Sequence, residues 1–254
     1  MSKIQSLPPV SRQFASTARL FSADAFARLR AAQFGVVGLG GVGSWAAEAL
    51  ARSGVGKLIL VDMDHVAESN LNRQVQAMHS TLGAAKGVAL KNRILDIAPD
   101  CVVTVMDEFL TAENAAEILN EGNIWIDATD DLAAKRAMIL TMQSFGRLKD
   151  LVVSGGAGGK TDPTRIEAAD LSETTQDPLL STLRYDLRKH HGFARSGKMK
   201  IQAVYCRQPM TKSEDCDPLA KLACAGYGSL VTVTATMGMV AANLALLRTL
   251  SKSS

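Results

Sequence analysis

Three glycines, Gly38, Gly40 and Gly43, fall in the run "FGVVGLGGVGSWAAEAL" (Phe34–Leu50) and fit G-x-G-x-x-G between an apolar stretch and an alanine-rich one. Such spacing suits a turn where a strand passes into a helix. Glycine there permits the tight bend, lets the backbone approach a phosphate, and leaves helix N–H groups pointing at its charge. Asp62 closes the next apolar stretch, 19 residues after Gly43, where a carboxylate accepts hydrogen bonds from ribose hydroxyls. These features alone suit a nicotinamide dinucleotide as well as any other nucleotide.

Three downstream segments narrow the chemistry. "VDMDHVAESNLNRQ" (Val61–Gln74) brings Asn70, Asn72, Arg73 and Gln74, "GAAKG" (Gly83–Gly87) brings Lys86, and "DATDD" (Asp127–Asp131) brings Asp130. A dinucleotide dehydrogenase has no need of an arginine and a lysine converging on the turn. A nucleoside triphosphate does, because its negative charge must be neutralised before an anionic carboxylate can attack the α-phosphate. Asp130, at the carboxyl end of a parallel strand, suits Mg2+ held on those phosphates. Singly, each residue has a plainer use, Asp62 and Asp130 as helix caps and Lys86 as a solvated first helical turn. Jointly, at this spacing, they favour a site.

The elements that must carry these residues are legible as alternating apolar and helical stretches. Strands are expected at Gln33–Val37, Lys57–Asp62, Val102–Asp107, Asn123–Ala128 and Leu151–Gly156, with helices at Ser44–Ala51, Ala84–Ile97, Ala112–Leu119 and Leu132–Phe145. Pro99 follows the second helix where it should stop. Strands nearly continuous in apolar residues and separated by helices predict a parallel sheet covered on both faces, a doubly wound α/β fold with ligands beyond the carboxyl ends of its strands. The domain reading is a helical arm over residues 1–32 and one domain over 33–254. After Gly159 the pattern changes. "RIEAAD" suits one more strand, residues 172–221 read as a basic crossover region, and 192–221 looks short and irregular. Within Arg184–Lys200 six cations (Arg184, Arg188, Lys189, Arg195, Lys198, Lys200) face one acid, Asp186, beside His190 and His191.

The chain has 254 residues, 47% hydrophobic and 21% charged, with a net charge of +3. That allows one large domain or two modest ones, and so mild a charge neither requires nor excludes an anionic partner. The N-terminal "MSKIQSLPPVSRQF" lacks the apolar core of a signal peptide, so a cytoplasmic location is expected. Cys101, Cys206, Cys216 and Cys224 form no C-x-x-C pair, which argues against structural zinc and against a disulfide framework. From Leu222 to Leu247 no residue is charged, long enough for a bilayer. Five Ser, Thr and Asn side chains within it favour a helix, or strand and helix, of the core; membrane association through about 226–247 is the alternative.

The ordered set G-x-G-G-x-G-S, D-x-D-x-V-x-x-S-N-L-N-R-Q, a lysine, and A-T-D resembles the adenylating superfamily of ubiquitin-activating enzymes and their bacterial relatives. The resemblance implies a Rossmann-like adenylating fold with a C-terminal extension completing the sheet, and ATP with Mg2+. Gly41 would lie against the nucleotide, Asp62 on the ribose, Asn70, Asn72, Arg73, Gln74 and Lys86 about the phosphates, and Asp130 on magnesium. An arginine near the N-terminus, Arg19 in preference to Arg12, would reach ATP held by a partner subunit. The stretches Ser154–Arg184 and Cys224–Asn243 resemble one branch, the tRNA threonylcarbamoyladenosine dehydratases. That branch implies ATP-dependent cyclisation of threonylcarbamoyladenosine beside the anticodon, a tRNA partner with no role for DNA, a homodimer, a monovalent cation (K+ or Na+) and, in some relatives, a sulfur-relay protein. The basic run would then contact RNA. Cys224 suits packing or a reactive thiol. An adenylating enzyme for a ubiquitin-like sulfur carrier, an oxidoreductase and a non-catalytic nucleotide-binding scaffold stay open as other readings.

Overall fold

The computed structural model describes residues 11–211 and 227–250. Cys216, Cys224, the end of the crossover region and the start of the uncharged run lie outside the described residues. Helices α1 (Ala15–Ala18) and α2 (Ala23–Ala31) precede strand β1 (Gln33–Val37). Then α3 (Gly43–Arg52), β2 (Lys57–Val61), α4 (Lys86–Ile97), β3 (Val102–Met106), α5 (Ala115–Glu121), β4 (Ile124–Asp127), α6 (Leu132–Ser144) and β5 (Leu151–Ser154) follow in strict alternation. All five strands run parallel, and β1 lies between β2 and β4. The direction of winding therefore reverses at β1, which opens a crevice above its carboxyl end.

Both faces are covered, as near-continuous apolar strands require. Val36, Leu58 and Leu60 point into one core with Leu50, Leu90, Ile94 and Met237. Their neighbours Val37, Ile59 and Val61 point into the other, with Leu119, Met138, Met142 and Leu183.

Beyond Gly159 one expectation fails. The region expected to be short and irregular contains β7 (Gln202–Cys206), four of whose five residues are buried. It pairs in parallel with β5, while β6 (Ile166–Asp170), the strand expected at "RIEAAD", pairs with β7 antiparallel. The seven-stranded order is β3-β2-β1-β4-β5-β7-β6, so the extension after Gly159 completes the sheet. The polar stretch before β7 holds helix α7 (Pro178–His190), capped by the Asp177 carboxylate and seated on fully buried Leu180, Leu183 and Leu187. Its polar composition disguised it, because only one apolar stripe is needed to bury a surface helix.

The uncharged run is helix α8 (Val231–Leu250), with no strand in its described part. Its length and apolar composition meet the requirement for a membrane span. Here, though, Val233, Met237, Ala241 and Ala245 are buried in the core. Gly238 lets α8 approach α3, since a Cβ there would stand 2.4 Å from the Val42 carbonyl oxygen. The arm of α1 and α2 lies at the opposite edge of the sheet from the glycine turn. A Cβ on Gly56, just before β2, would stand 2.0 Å from the Arg30 carbonyl oxygen, and one on Gly54 3.0 Å from Phe26. Phe21 shares a cavity wall with Leu244, Leu247 and Leu250 at the far end of α8.

Candidate functional site

The glycine turn between β1 and α3 is built as the spacing demands. Gly38 has φ +85°, and a Cβ on it would lie 2.9 Å from the Ala128 carbonyl. A Cβ on Gly43 would lie 1.9 Å from the Gly38 carbonyl oxygen, so neither position accepts a side chain. Gly40 has open space instead, with nothing within 4 Å of where its Cβ would be. Gly41 faces the aliphatic stem of Arg73 and the Thr234 methyl of α8, at 3.2 and 3.1 Å from its would-be Cβ. Asp62, one residue past β2, accepts the Leu39 N–H at 2.6 Å on one oxygen and the Asp64 N–H at 2.8 Å on the other. It thus holds the turn against the end of β2, with lone pairs left over.

The segment from Asn70 to Gln76 is clamped to this turn. The Trp45 indole N–H donates to the Arg73 carbonyl (2.9 Å), the Val75 N–H to the Ser44 hydroxyl (3.3 Å), and the fully buried Gln76 amide to the Leu39 carbonyl (2.9 Å). Asn70 and Gln74 are buried inside the segment, where Asn70 accepts the Ala67 N–H and Gln74 accepts from Gln76. Asn72 is exposed and reaches the Ser229 carbonyl (3.1 Å), tying the segment to the approach of α8. The Arg73 guanidinium donates through one nitrogen to the Ser69 carbonyl and the Asn72 amide oxygen. Lys86 opens α4 with a buried stem and pairs at 2.7 Å with Asp64, whose side chain is 54% exposed. Helix α4 is itself locked to α3, because Glu48 pairs with both Arg93 and Arg52. Burial pushes the Glu48 carboxyl up, but the hydrogen bonds and charges of Arg93 and Arg52 outweigh it and leave it below its usual value.

Asp130 stands in the loop after β4, exposed, with no hydrogen bond or ion pair among the described residues. Beneath it lies a fully buried pair that motif reasoning missed. The Asp127 carboxylate accepts the Thr129 N–H and hydroxyl (3.1 and 2.8 Å) and pairs with the Lys135 ammonium (3.1 Å), which also donates to the Ser154 carbonyl at the end of β5 (2.7 Å). The second Asp127 oxygen has no hydrogen-bond partner among the described residues. The sequence carried a signal for this. Lys135 shares a helical face with Met138, Ile139 and Met142, all buried, and a lysine on such a face needs an acid.

A second buried pair holds the next loop. Lys160 donates to the Cys206 carbonyl at the end of β7 (2.7 Å) and lies 3.5 Å from Asp177. Asp177 in turn accepts the Gly156 N–H (2.9 Å), and a Cβ on Gly155 would stand 2.2 Å from its carboxylate. Nothing in "GGKTDP" announces this partnership across 17 residues of chain.

The six cations of the basic run do not behave alike. Arg184 turns inward and donates to the Leu171 and Thr174 carbonyls and the Thr174 hydroxyl, fastening α7 to the turn before it. Arg188 donates to the Ala194 carbonyl, and Lys189 to the Tyr185 hydroxyl. Lys198 pairs loosely with Glu173 at 3.7 Å, Arg195 is exposed, and Lys200 sits at φ +60° with its N–H on the Asp170 carboxylate. Arg19 is exposed at the end of α1. It lies two residues from Phe21, which lines a cavity with Leu244, whereas Gly41 meets Thr234. Ten residues of helix separate those two contacts along α8, about 15 Å. Within one chain, Arg19 and the glycine turn therefore sit at opposite edges.

Comparison with known proteins gives one consistent answer. Residues 10–253 match the model of the ThiF family. A tRNA threonylcarbamoyladenosine dehydratase of Haemophilus influenzae is 42% identical over 251 residues, 96% of this chain and 95% of that protein. The crystal structure of E. coli tRNA N6-threonylcarbamoyladenosine dehydratase in complex with ATP superposes with a TM-score of 0.85 at 40% identity, covering 94% of each chain. Its complex with AMP gives 0.86 at 39% identity, covering 94% of this chain and 95% of that one.

Proposed function

The chain belongs to the ThiF family, and from that premise we propose that it performs the ATP-dependent cyclisation of threonylcarbamoyladenosine in tRNA. One observation carries the reading. A glycine turn with open space at Gly40 lies by Arg73, Lys86 and Asp130, which has no hydrogen bond or ion pair among the described residues, at the crevice where the sheet reverses. That is a charge arrangement for a triphosphate, and the similar E. coli protein has been crystallised with ATP and with AMP.

In this reading the substrate's threonyl carboxylate attacks the α-phosphate of ATP, and pyrophosphate leaves. A nucleophile in the same side chain then attacks the activated carbonyl, expels AMP and closes a five-membered ring, so the nucleoside loses one water. Positioning of carboxylate and phosphate together with charge neutralisation suffices for the step, and no protein nucleophile is required. Arg73 and Lys86 offset the phosphate charge, and Asp62 accepts from the ribose while it braces the turn. Asn70 and Gln74 shape the segment from within, and Asn72 holds it to α8.

Among the described residues no three His, Cys, Asp or Glu side chains cluster as a metal cage. One free carboxylate beside a triphosphate fits Mg2+, which is bound through one or two carboxylates and substrate phosphates. Asp130 would hold it, and the ion would screen the phosphates from the incoming carboxylate.

The proposal extends to a homodimer, in which Arg19, at the far end of α8 from the glycine turn, would reach the ATP of another copy. It extends to a cytoplasmic enzyme with α8 as a core helix, to an RNA contact through Arg188, Lys189, Arg195, Lys198 and Lys200, and to K+ or Na+ as an accompanying ion. A sulfur-relay partner has no step to perform in this chemistry, and a sulfur-carrier adenylating role lacks the two C-x-x-C pairs common in such relatives.

The test is incubation with ATP, Mg2+ and tRNA bearing threonylcarbamoyladenosine, followed by nucleoside mass analysis. Loss of one water with matching AMP is expected. ADP as product, or an unchanged nucleoside, would overturn the proposal.

A further inference from the structure

Helix α7 presents an exposed aromatic ring in cationic company. The Tyr185 side chain is 60% exposed, while the opposite face of the same helix is anchored by Leu180, Leu183 and Leu187, all fully buried. The ring is therefore carried on a rigid base rather than on a loose loop. Lys189, one turn on, sets its ammonium 5.2 Å from the ring centroid and donates to the hydroxyl at 2.9 Å. Beside it, Arg188 uses its Nε on the Ala194 carbonyl. One turn before the ring, Ser181 lines a cavity of about 250 Å³ together with Thr174, Gln176, Asp177 and Arg184. Ser181, Tyr185 and Lys189 follow one another at four-residue spacing, along one helical face. Asp177 also receives the Gly156 N–H, so the cavity adjoins the glycine-rich loop at the carboxyl edge of β5. A cavity lined by polar side chains and by Pro178 and Met210, the ring and the Lys189 ammonium thus run in line from the edge of the sheet that carries the proposed ATP site, with Arg188 to one side.

Proteins read single-stranded RNA by stacking splayed bases on aromatic side chains, and enzymes that modify a base take it out of its stack. A lone exposed tyrosine is ordinary. A tyrosine between flanking cations and a base-sized cavity is a stacking platform. We propose that Tyr185 stacks one base of the single-stranded loop of the RNA substrate. In this arrangement Arg188 and Lys189 meet the adjoining phosphates and the cavity at Ser181 receives the next unstacked base. The proposal rests on the tRNA reading above and adds the residue that seats the loop.

The experiment measures tRNA affinity of the full-length wild type and of Tyr185→Ala and Tyr185→Phe across a salt series, with cyclised nucleoside assayed in parallel. Base stacking on an aromatic predicts that Tyr185→Ala weakens binding roughly 5- to 100-fold while Tyr185→Phe stays within about twofold. The slope of log affinity against log salt should not change in either variant, because no phosphate contact is lost. Wild-type affinity in Tyr185→Ala would overturn the proposal, and so would a loss in Tyr185→Phe as large as in Tyr185→Ala. If the wild type cyclises the nucleoside while Tyr185→Ala binds normally, only this inference falls. If the wild type neither binds tRNA nor cyclises it, the proposed function falls first.

Discussion

The carboxyl edge of the sheet has two parts that use the same residue types oppositely. Over β1 and β2, charge is left accessible. Asp130 is exposed and has no partner among the described residues, Asp64 is half exposed beside Lys86, and Arg73 spends one guanidinium nitrogen on neighbours. Over β4, β5 and β7, charge is buried and matched, with Lys135 on Asp127 and Lys160 on Asp177, all four side chains 0–1% exposed. Removing charges from water is costly, and only mutual pairing with added hydrogen bonds offsets it. Such groups are spent on the frame. An exposed carboxylate carries no such cost and stays available to a ligand. Accessibility and pairing, not residue type, separate the groups that hold the loops from those that act.

That contrast is sharpest in stability. Lys135→Met or Lys160→Met leaves a buried carboxylate unmatched and should cost about 3–5 kcal/mol, read by denaturant unfolding. The double variant Asp127→Asn with Lys135→Met should recover a large part of that loss. A single variant as stable as the wild type would show that these pairs do not carry the frame.

Asp130→Ala should do the reverse, moving stability by less than about 0.5 kcal/mol and lowering AMP formation at least about a hundredfold. Normal turnover would remove Asp130 from the chemistry.

A smaller effect separates the outer face of α7 from both edges. Reversing Arg188 and Lys189 to Glu should weaken tRNA binding and flatten its salt dependence, whereas Arg184→Ala should chiefly loosen the turn at Thr174. Equal salt slopes in wild type and the double reversal would place the RNA elsewhere.

The smallest effect concerns Glu48. Its folded carboxyl lies below the ordinary value of 4.5. Its contribution to stability is therefore complete above that value and is lost as the pH falls through the folded value. Glu48→Gln should remove this share of the acid sensitivity below about pH 4.5. An unfolding profile unchanged between pH 3 and 6 would deny Glu48 its part in joining α3 to α4.

The same contrast explains what could be read from the residues alone. The parallel half was legible because apolar strands, glycines and capping acids are local signals, and Gly38, Gly43 and Asp62 stand where their spacing put them. The far half was not. Strand β7 is five residues long and gains its place from β5 and β6, which are distant in sequence, and α7 hides one leucine stripe among charges. Arg184 looked like one of six equivalent cations, yet its guanidinium is a staple for carbonyls ten and thirteen residues back. Asn70 and Gln74 sat in the right motif but are buried within the segment that carries Arg73.

The placement of β7 also governs how the chain can be assembled. β6 is synthesised some thirty residues before β7, yet among the described residues its one sheet neighbour is β7. A chain that ends near Lys200 lacks both β7, which leaves the β5 flank bare as a template for pairing with another chain, and α8, which covers one face of the sheet. Emergence of "QAVYC" seals that flank and gives β6 its place at once. Nonsense or frameshift truncation before Gln202 should leave an aggregating fragment rather than a smaller working domain.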